Sequence, residues 1–182
     1  MSQKQDKLLT ATCRCGKVEF EAAGAPIVTC TCYCASCQEA GRRFDQLSPV
    51  VPLLDPDGGT GVILWRKDRV RCVKGEDQLV EHRLTPESAT RRVIANCCGS
   101  PMFLEFTKGH WLTMYKNCFQ NPPPIEMRVV TKDRRAGVEL PADVPNLSSH
   151  SGKFMVKLLA AWIAMGFRTP EISWGRPKRA EQ

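Results

Sequence analysis

Cysteine is the residue type whose spacing in this chain could do chemistry. Cys32, Cys34 and Cys37 fall within six residues, in the run Cys32-Tyr33-Cys34-Ala35-Ser36-Cys37. The Cys34-x-x-Cys37 spacing lets two sulfurs meet one tetrahedral zinc. Cys32 joins them when the backbone between residues 32 and 34 is extended, because alternate side chains of a strand share a side. Three thiolates then converge and leave a fourth position for water or substrate, the opening that separates catalytic zinc from closed structural zinc. A divalent ion held by three thiolates is net negative and a poor activator of water. It can still keep a substrate thiol deprotonated near neutral pH and present it as a nucleophile. The chemistry expected is sulfur adding to a carbonyl, or leaving from such an adduct. Cys30 lies on the same expected strand face as Cys32; as a fourth ligand it would close the site, but its strand leads straight into the knuckle and leaves little backbone freedom.

A second pair, Cys13-Arg14-Cys15-Gly16, is too close for a disulfide and suits one metal, yet two ligands do not finish a site. Their partners are expected from Cys97-Cys98-Gly99, far along the chain. A zinc joining these segments would cross-link the domain and act structurally. Cys72 and Cys118 stand alone and read as small hydrophobes.

The elements that must position these sulfurs are short strands. Lys17–Glu21, Ile27–Cys32, Gly61–Trp65, Val70–Val73, Leu79–Leu84, Arg91–Ala95, Met102–Phe106, Trp111–Tyr115 and Ile125–Thr131 are β-rich or alternating, and Gly-, Pro- or Asp-rich turns separate many of them. Such a pattern argues a mainly β fold of antiparallel sheets. Two helices are expected. A short one covers Cys37–Phe44. A C-terminal helix covers Lys153–Met165, with Ser151 capping its start, Gly166 ending it and Pro170 preventing resumption. Phe154, Leu158, Trp162 and Met165 share a face of that helix, and Met155, Leu159 and Ile163 widen it, so it should dock on its own domain or on a second subunit of a homodimer. The expected organisation is a flexible N-terminus over 1–10, a zinc-binding β domain over 11–139, a linker over 140–150, and a helix with a basic tail over 151–182.

The totals narrow the partners. With 182 residues, 42% hydrophobic and 25% charged, the chain has the size and composition of one soluble domain. The N-terminal residues lack the apolar core of a signal peptide, and Phe154–Phe167 is too short and too interrupted to span a bilayer. A cytoplasmic location follows as an expectation, and in that reducing compartment the ten cysteines favour metal binding or catalysis over disulfides. A net charge of +7 favours anionic partners. Runs at Arg66–Arg71, Arg91–Arg92, Lys132–Arg135 and Arg176–Arg179 read as solvated faces, and aromatic residues are too few, and too often in expected strands, for a single-stranded nucleic-acid platform.

The run Cys13-x-Cys15-Gly16-x-Val18-x-Phe20, then Gly24-x-Pro26, then Cys32-x-Cys34-x-x-Cys37-Gln38-x-Ala40-Gly41, and later Cys98-Gly99-Ser100-Pro101, resembles the glutathione-dependent formaldehyde-activating enzyme family, a group of carbon–sulfur lyases. The middle of the chain looks closer to an uncharacterised subgroup. The resemblance implies a tent-like β fold built around zinc. It also implies one or two ions: a structural one at Cys13, Cys15 and a later pair, and a catalytic one at Cys32, Cys34 and Cys37. The partners implied are a small thiol such as glutathione and an aldehyde. Two positions depart from the pattern. The family's later pair is Cys-x-x-Cys-Gly, whereas Ala95 stands at its first position here and Cys97 adjoins Cys98. Tyr33 stands where the family often has His. The leading expectation is a zinc-dependent lyase that forms or cleaves a thiol–aldehyde adduct. The rivals are a non-catalytic zinc module that binds nucleic acid or protein, and a redox protein using Cys34 and Cys37.

Overall fold

In the second strand Phe20 and Ala22 turn inward while Glu19, Glu21 and Ala23 are partly exposed, the period-two pattern of a sheet with one buried face. The computed structural model describes residues 8–47, 52–172, 174, 178 and 179. In chain order its elements are β1 (Leu8–Thr12), β2 (Glu19–Ala23), β3 (Val28–Cys32), α1 (Ala35–Leu47), β4 (Thr60–Arg66), β5 (Val70–Lys74) and β6 (Leu79–His82), followed by β7 (Thr90–Ala95), β8 (Ser100–Phe106), β9 (Trp111–Tyr115), β10 (Met127–Val129), α2 (Gly152–Ala164) and β11 (Lys178–Arg179).

Two sheets result. The smaller has the order β1-β2-β5, and the larger, with eight strands, runs β10-β3-β4-β9-β8-β7-β6-β11. Pairing is antiparallel except for β10 with β3 and β11 with β6, so the mainly β, mainly antiparallel expectation holds with a parallel strand at each edge of the larger sheet. Phe20 of the small sheet meets Phe103 of the large one edge-on at 5.7 Å, and Trp174 sits against both rings. That aromatic contact joins the two layers, and the geometry is the favourable one for aromatic quadrupoles. Central β4 is buried over Thr60–Trp65.

The opposite face of the large sheet carries α2. Ser151 Oγ accepts from Phe154 N at 3.1 Å, the N-cap expected from the sequence. Phe154, Leu158 and Met165 are buried, whereas Met155, Leu159 and Ile163 of the wider stripe are exposed. The helix ends at a left-handed Gly166, φ 62°, whose amide donates to Ile163 O. His110, buried on the sheet, hydrogen-bonds Leu158 O at 2.9 Å and stacks on Trp162. No helix among the described residues is long and apolar enough to cross a membrane.

Several boundaries move. The short helix expected over Cys37–Phe44 runs from Ala35 to Leu47. Residues 8–10, read with the N-terminal tail, begin β1 and pair with β2; residues 1–7 lie outside the described residues, as does most of the basic tail. The segment 140–150 is tied to β10: Arg128 N donates to Pro145 O and Leu147 N to Arg128 O, each at 2.9 Å. Arg128 also pairs with Asp143 at 2.7 Å. The Arg91–Arg92 run is no solvated face. Arg91 pairs with Glu105 and Glu81, and Arg92 is buried.

Candidate functional site

Cys32 is the last residue of β3, and Cys34 directly precedes α1. The chain turns there from strand to helix, with Cys37 N donating to Cys34 O at 3.0 Å and to Cys34 Sγ at 3.4 Å. Cys34 therefore stands in the capping position, where unpaired amides and the helix dipole favour a thiolate. Gln38 fixes the turn by donating to Tyr33 O at 2.6 Å and Asp133 O at 2.8 Å. Cys37, Ala40 and Phe44 form the buried stripe of α1. As a result the sulfurs of Cys32, Cys34 and Cys37 all lie within 4.8 Å of one another. Hydrogen bonds from the Cys32 and Cys37 thiols hold Cys34 far below the ordinary thiol range. Those contacts, together with burial, push Cys32 and Cys37 up.

Cys30 is buried two residues before Cys32 and lines the same cavity, but it is not part of the sulfur cluster. Burial drives its thiol strongly toward the neutral form. Tyr33 turns to the other side of the strand. Its hydroxyl donates to Asp57 Oδ2 at 2.6 Å and so anchors the 55–59 turn that leads into β4.

The second group assembles from two tight turns. Gly16 at φ 72° closes the Cys13–Cys15 turn with its amide on Cys13 O. Gly99 at φ 69° closes the β7–β8 turn with its amide on Ala95 O. Both conformations suit glycine because it has no Cβ. Cys13 Sγ lies 3.6 Å from Cys15 Sγ and 3.8 Å from Cys97 Sγ. Cys15 and Cys97 are 3.4 Å apart, and Cys97 and Cys98 are 4.0 Å apart. None of the four is in a disulfide. A tetrahedron of sulfurs around zinc has an edge of about 3.8 Å, whereas a disulfide needs about 2.05 Å. Both adjacent cysteines join the group because Asn96–Gly99 is a turn rather than strand, so consecutive side chains need not point apart. Ser100 Oγ lies 3.1 Å from Cys98 Sγ. Despite burial, that hydrogen bond and nearby amides bring the Cys98 thiol down to about 6.

The two groups differ in their surroundings. The triad opens on a cavity of ≈ 360 Å³ between the large sheet and α2, lined mostly by apolar side chains together with Ser36, Thr90, Thr113, Arg92 and His150. Spacing gave no hint of Arg92 or of the cavity. Arg92 lies in a Val- and Ile-rich strand beside another arginine, and only strand pairing shows that it faces inward.

Comparison with curated proteins gives no match. Among solved structures, a Rhodobacter sphaeroides protein matches with a TM-score of 0.46 and 16% identity, covering 76% of this chain and 99% of that one. The profile of the glutathione-dependent formaldehyde-activating enzyme family matches residues 8–48, the segment that holds Cys13, Cys15 and the whole triad.

Proposed function

We propose that this protein is a zinc-dependent carbon–sulfur lyase that forms or cleaves the adduct of a small thiol, of the glutathione type, with an aldehyde, of the formaldehyde type. The observation that carries the reading is the contrast between the two sulfur groups. One has four thiols at the spacing of a filled zinc tetrahedron; the other has three, with a cavity on its remaining side. Soft thiolate sets suit zinc. Cys13, Cys15, Cys97 and Cys98 would hold a structural ion, and Cys32, Cys34 and Cys37 a catalytic one with a place for substrate. When bound there, zinc would supply a thiolate-stabilising charge near neutral pH.

The rest falls to the chain. Hydrogen bonds from the Cys32 and Cys37 thiols, with Cys37 N as a further donor, lower the Cys34 thiol and favour its anion. The β3–α1 turn, fixed by Gln38, keeps the triad in shape. The roof of α2 limits water at the reacting carbon and so protects the adduct from side reactions. The substrate thiol loses its proton to solvent and its sulfur attacks the carbonyl carbon; cleavage is the reverse.

The test is metal analysis of the purified protein with NMR of ¹³C-formaldehyde and glutathione. About two zinc per chain and faster exchange between free aldehyde and hemithioacetal are expected, and Cys34→Ser should abolish the acceleration. Zinc at the triad without any acceleration would reduce it to a structural site. Absence of zinc with a readily formed Cys34–Cys37 disulfide would make the protein a redox protein instead.

A further inference from the structure

Arg92 sits within β7 and is 2% exposed. Its cross-strand neighbours are His82 on β6 and Leu104 on β8, neither of them anionic. Other buried or partly buried cations are matched to acids: Arg91 to Glu105 and Glu81, Lys67 to Glu105, and Arg83 to Glu81. Among the described residues, no carboxylate lies within ion-pair distance of Arg92. An arginine stays protonated, and a buried charge is costly until something of opposite sign compensates it.

The group it does meet belongs to the turn that carries the triad. Nη2 donates to Ser36 Oγ at 2.7 Å and to Ser36 O at 3.2 Å. Ser36 stands between Cys34 and Cys37, in the first turn of α1. Nε and Nη1 are fully buried, so the guanidinium offers no donor to a molecule in the cavity. What reaches the site is its charge, and charge acts strongly over short distances in a poorly solvated interior. Three thiolates around one divalent ion sum to a negative charge, and a substrate thiolate in the fourth position adds to it. A cation fixed against the Cys34–Cys37 turn offsets that excess before the substrate arrives.

We propose that Arg92 is the buried counter-ion of the zinc-loaded triad, keeping the net charge of the site low enough to retain the metal and to admit a fourth, substrate thiolate. This rests on the reading above of Cys32, Cys34 and Cys37 as an open zinc site. Arg92 touches neither the substrate nor the reacting atoms. It acts through the turn that holds the ligands, and its two bonds to Ser36 fix the charge beside that turn. The assignment accounts for an arginine buried in β7 with no acid to meet it.

Competition for zinc between the full chain and a chromophoric chelator tests the idea without turnover. Arg92→Gln keeps a donor for Ser36 and removes the charge; it should weaken the triad ion by about 10–100-fold while the four-thiol ion stays bound. Arg92→Lys keeps the charge and should retain most of the affinity. Full affinity in Arg92→Gln, or an equal loss in Arg92→Gln and Arg92→Lys, makes Arg92 a clamp on Ser36 and overturns the counter-ion role. A second pair of variants leaves Arg92 in place. Leu104 lies opposite Arg92 across the strands and is partly exposed, so Leu104→Glu sets a carboxylate against the guanidinium. It should weaken the triad ion at least about tenfold relative to Leu104→Gln, its uncharged match. Equal affinity in the two Leu104 variants overturns the proposal even where the Arg92 variants do not fold. Zinc content and formaldehyde exchange of the unaltered protein report on the lyase reading alone. Both intact, with variants indifferent to charge, sinks only this inference.

Discussion

The two thiol groups are alike in residue type and differ in how many sulfurs meet and in what lies beside them. Cys98→Ser breaks a four-sulfur knot that ties the Cys13–Cys15 turn to the β7–β8 turn. It should cost about one zinc per chain and lower the melting midpoint sharply. Cys34→Ser should also cost about one zinc yet leave the midpoint nearly unchanged, because the triad lies within one strand–helix junction. Metal analysis with calorimetric melting separates the two. A second residue-scale prediction concerns charge. Lys67 Nζ and Glu105 Oε1 meet at 2.5 Å with both side chains buried, and Arg91 holds the other Glu105 oxygen. Glu105→Gln leaves a buried cation short of its partner and should lower unfolding free energy by roughly 3 kcal/mol, read by urea denaturation. The cysteine spacing made the triad legible, since its three sulfurs lie within six residues. Glu105 and Arg92 were not legible, because a charged residue in a strand signals burial only once its cross-strand neighbours are known.

At the scale of elements, α2 is the roof of the site and its attachment can be tested. Ser151→Ala removes the cap on Phe154 N and should cost about 1 kcal/mol. Leu158→Ala removes a buried contact under the helix and should cost about 2–4 kcal/mol, with a looser cavity. The helix is also tethered by His110, whose imidazole is kept below its ordinary value by burial, aided by Lys67 and opposed by the hydrogen bond to Leu158 O. Burial lowers His82 in the same sense. In both cases the unfolded chain binds protons more readily than the folded one. The stability they contribute is therefore complete above about pH 6.5 and is lost as pH falls from there through the lower folded values. Denaturation midpoints measured from pH 8 to 5 should fall at the acid end, and His110→Gln should flatten part of that slope. Ser151, Gly166 and the apolar stripe announced this helix. Which half of the stripe is buried was decided by the sheet face it meets.

Across the whole molecule, the large sheet is a platform with two uses. One face packs on the smaller sheet through Phe20 and Phe103, and the other carries the triad, the cavity and α2. Stripping metal with a strong chelator should therefore lower the melting midpoint through the four-thiol group, and restoring zinc should recover it, read by melting curves before and after readdition. Alternating strands, Gly- and Pro-rich turns, cap residues and the two cysteine clusters were all readable from the chain, because each depends on neighbours a few residues away. Those signals determined the β class, the terminal helix and the three sulfurs of the triad. The tertiary structure alone decided that Cys97 and Cys98 both reach Cys13, that Cys30 stays outside the triad, and that segment 140–150 pins itself to β10. It alone set Arg92 against Ser36 under an apolar roof. Each of these depends on strand order and register between residues far apart in the chain, and a side chain's face on a sheet has no address until its partner strand is known.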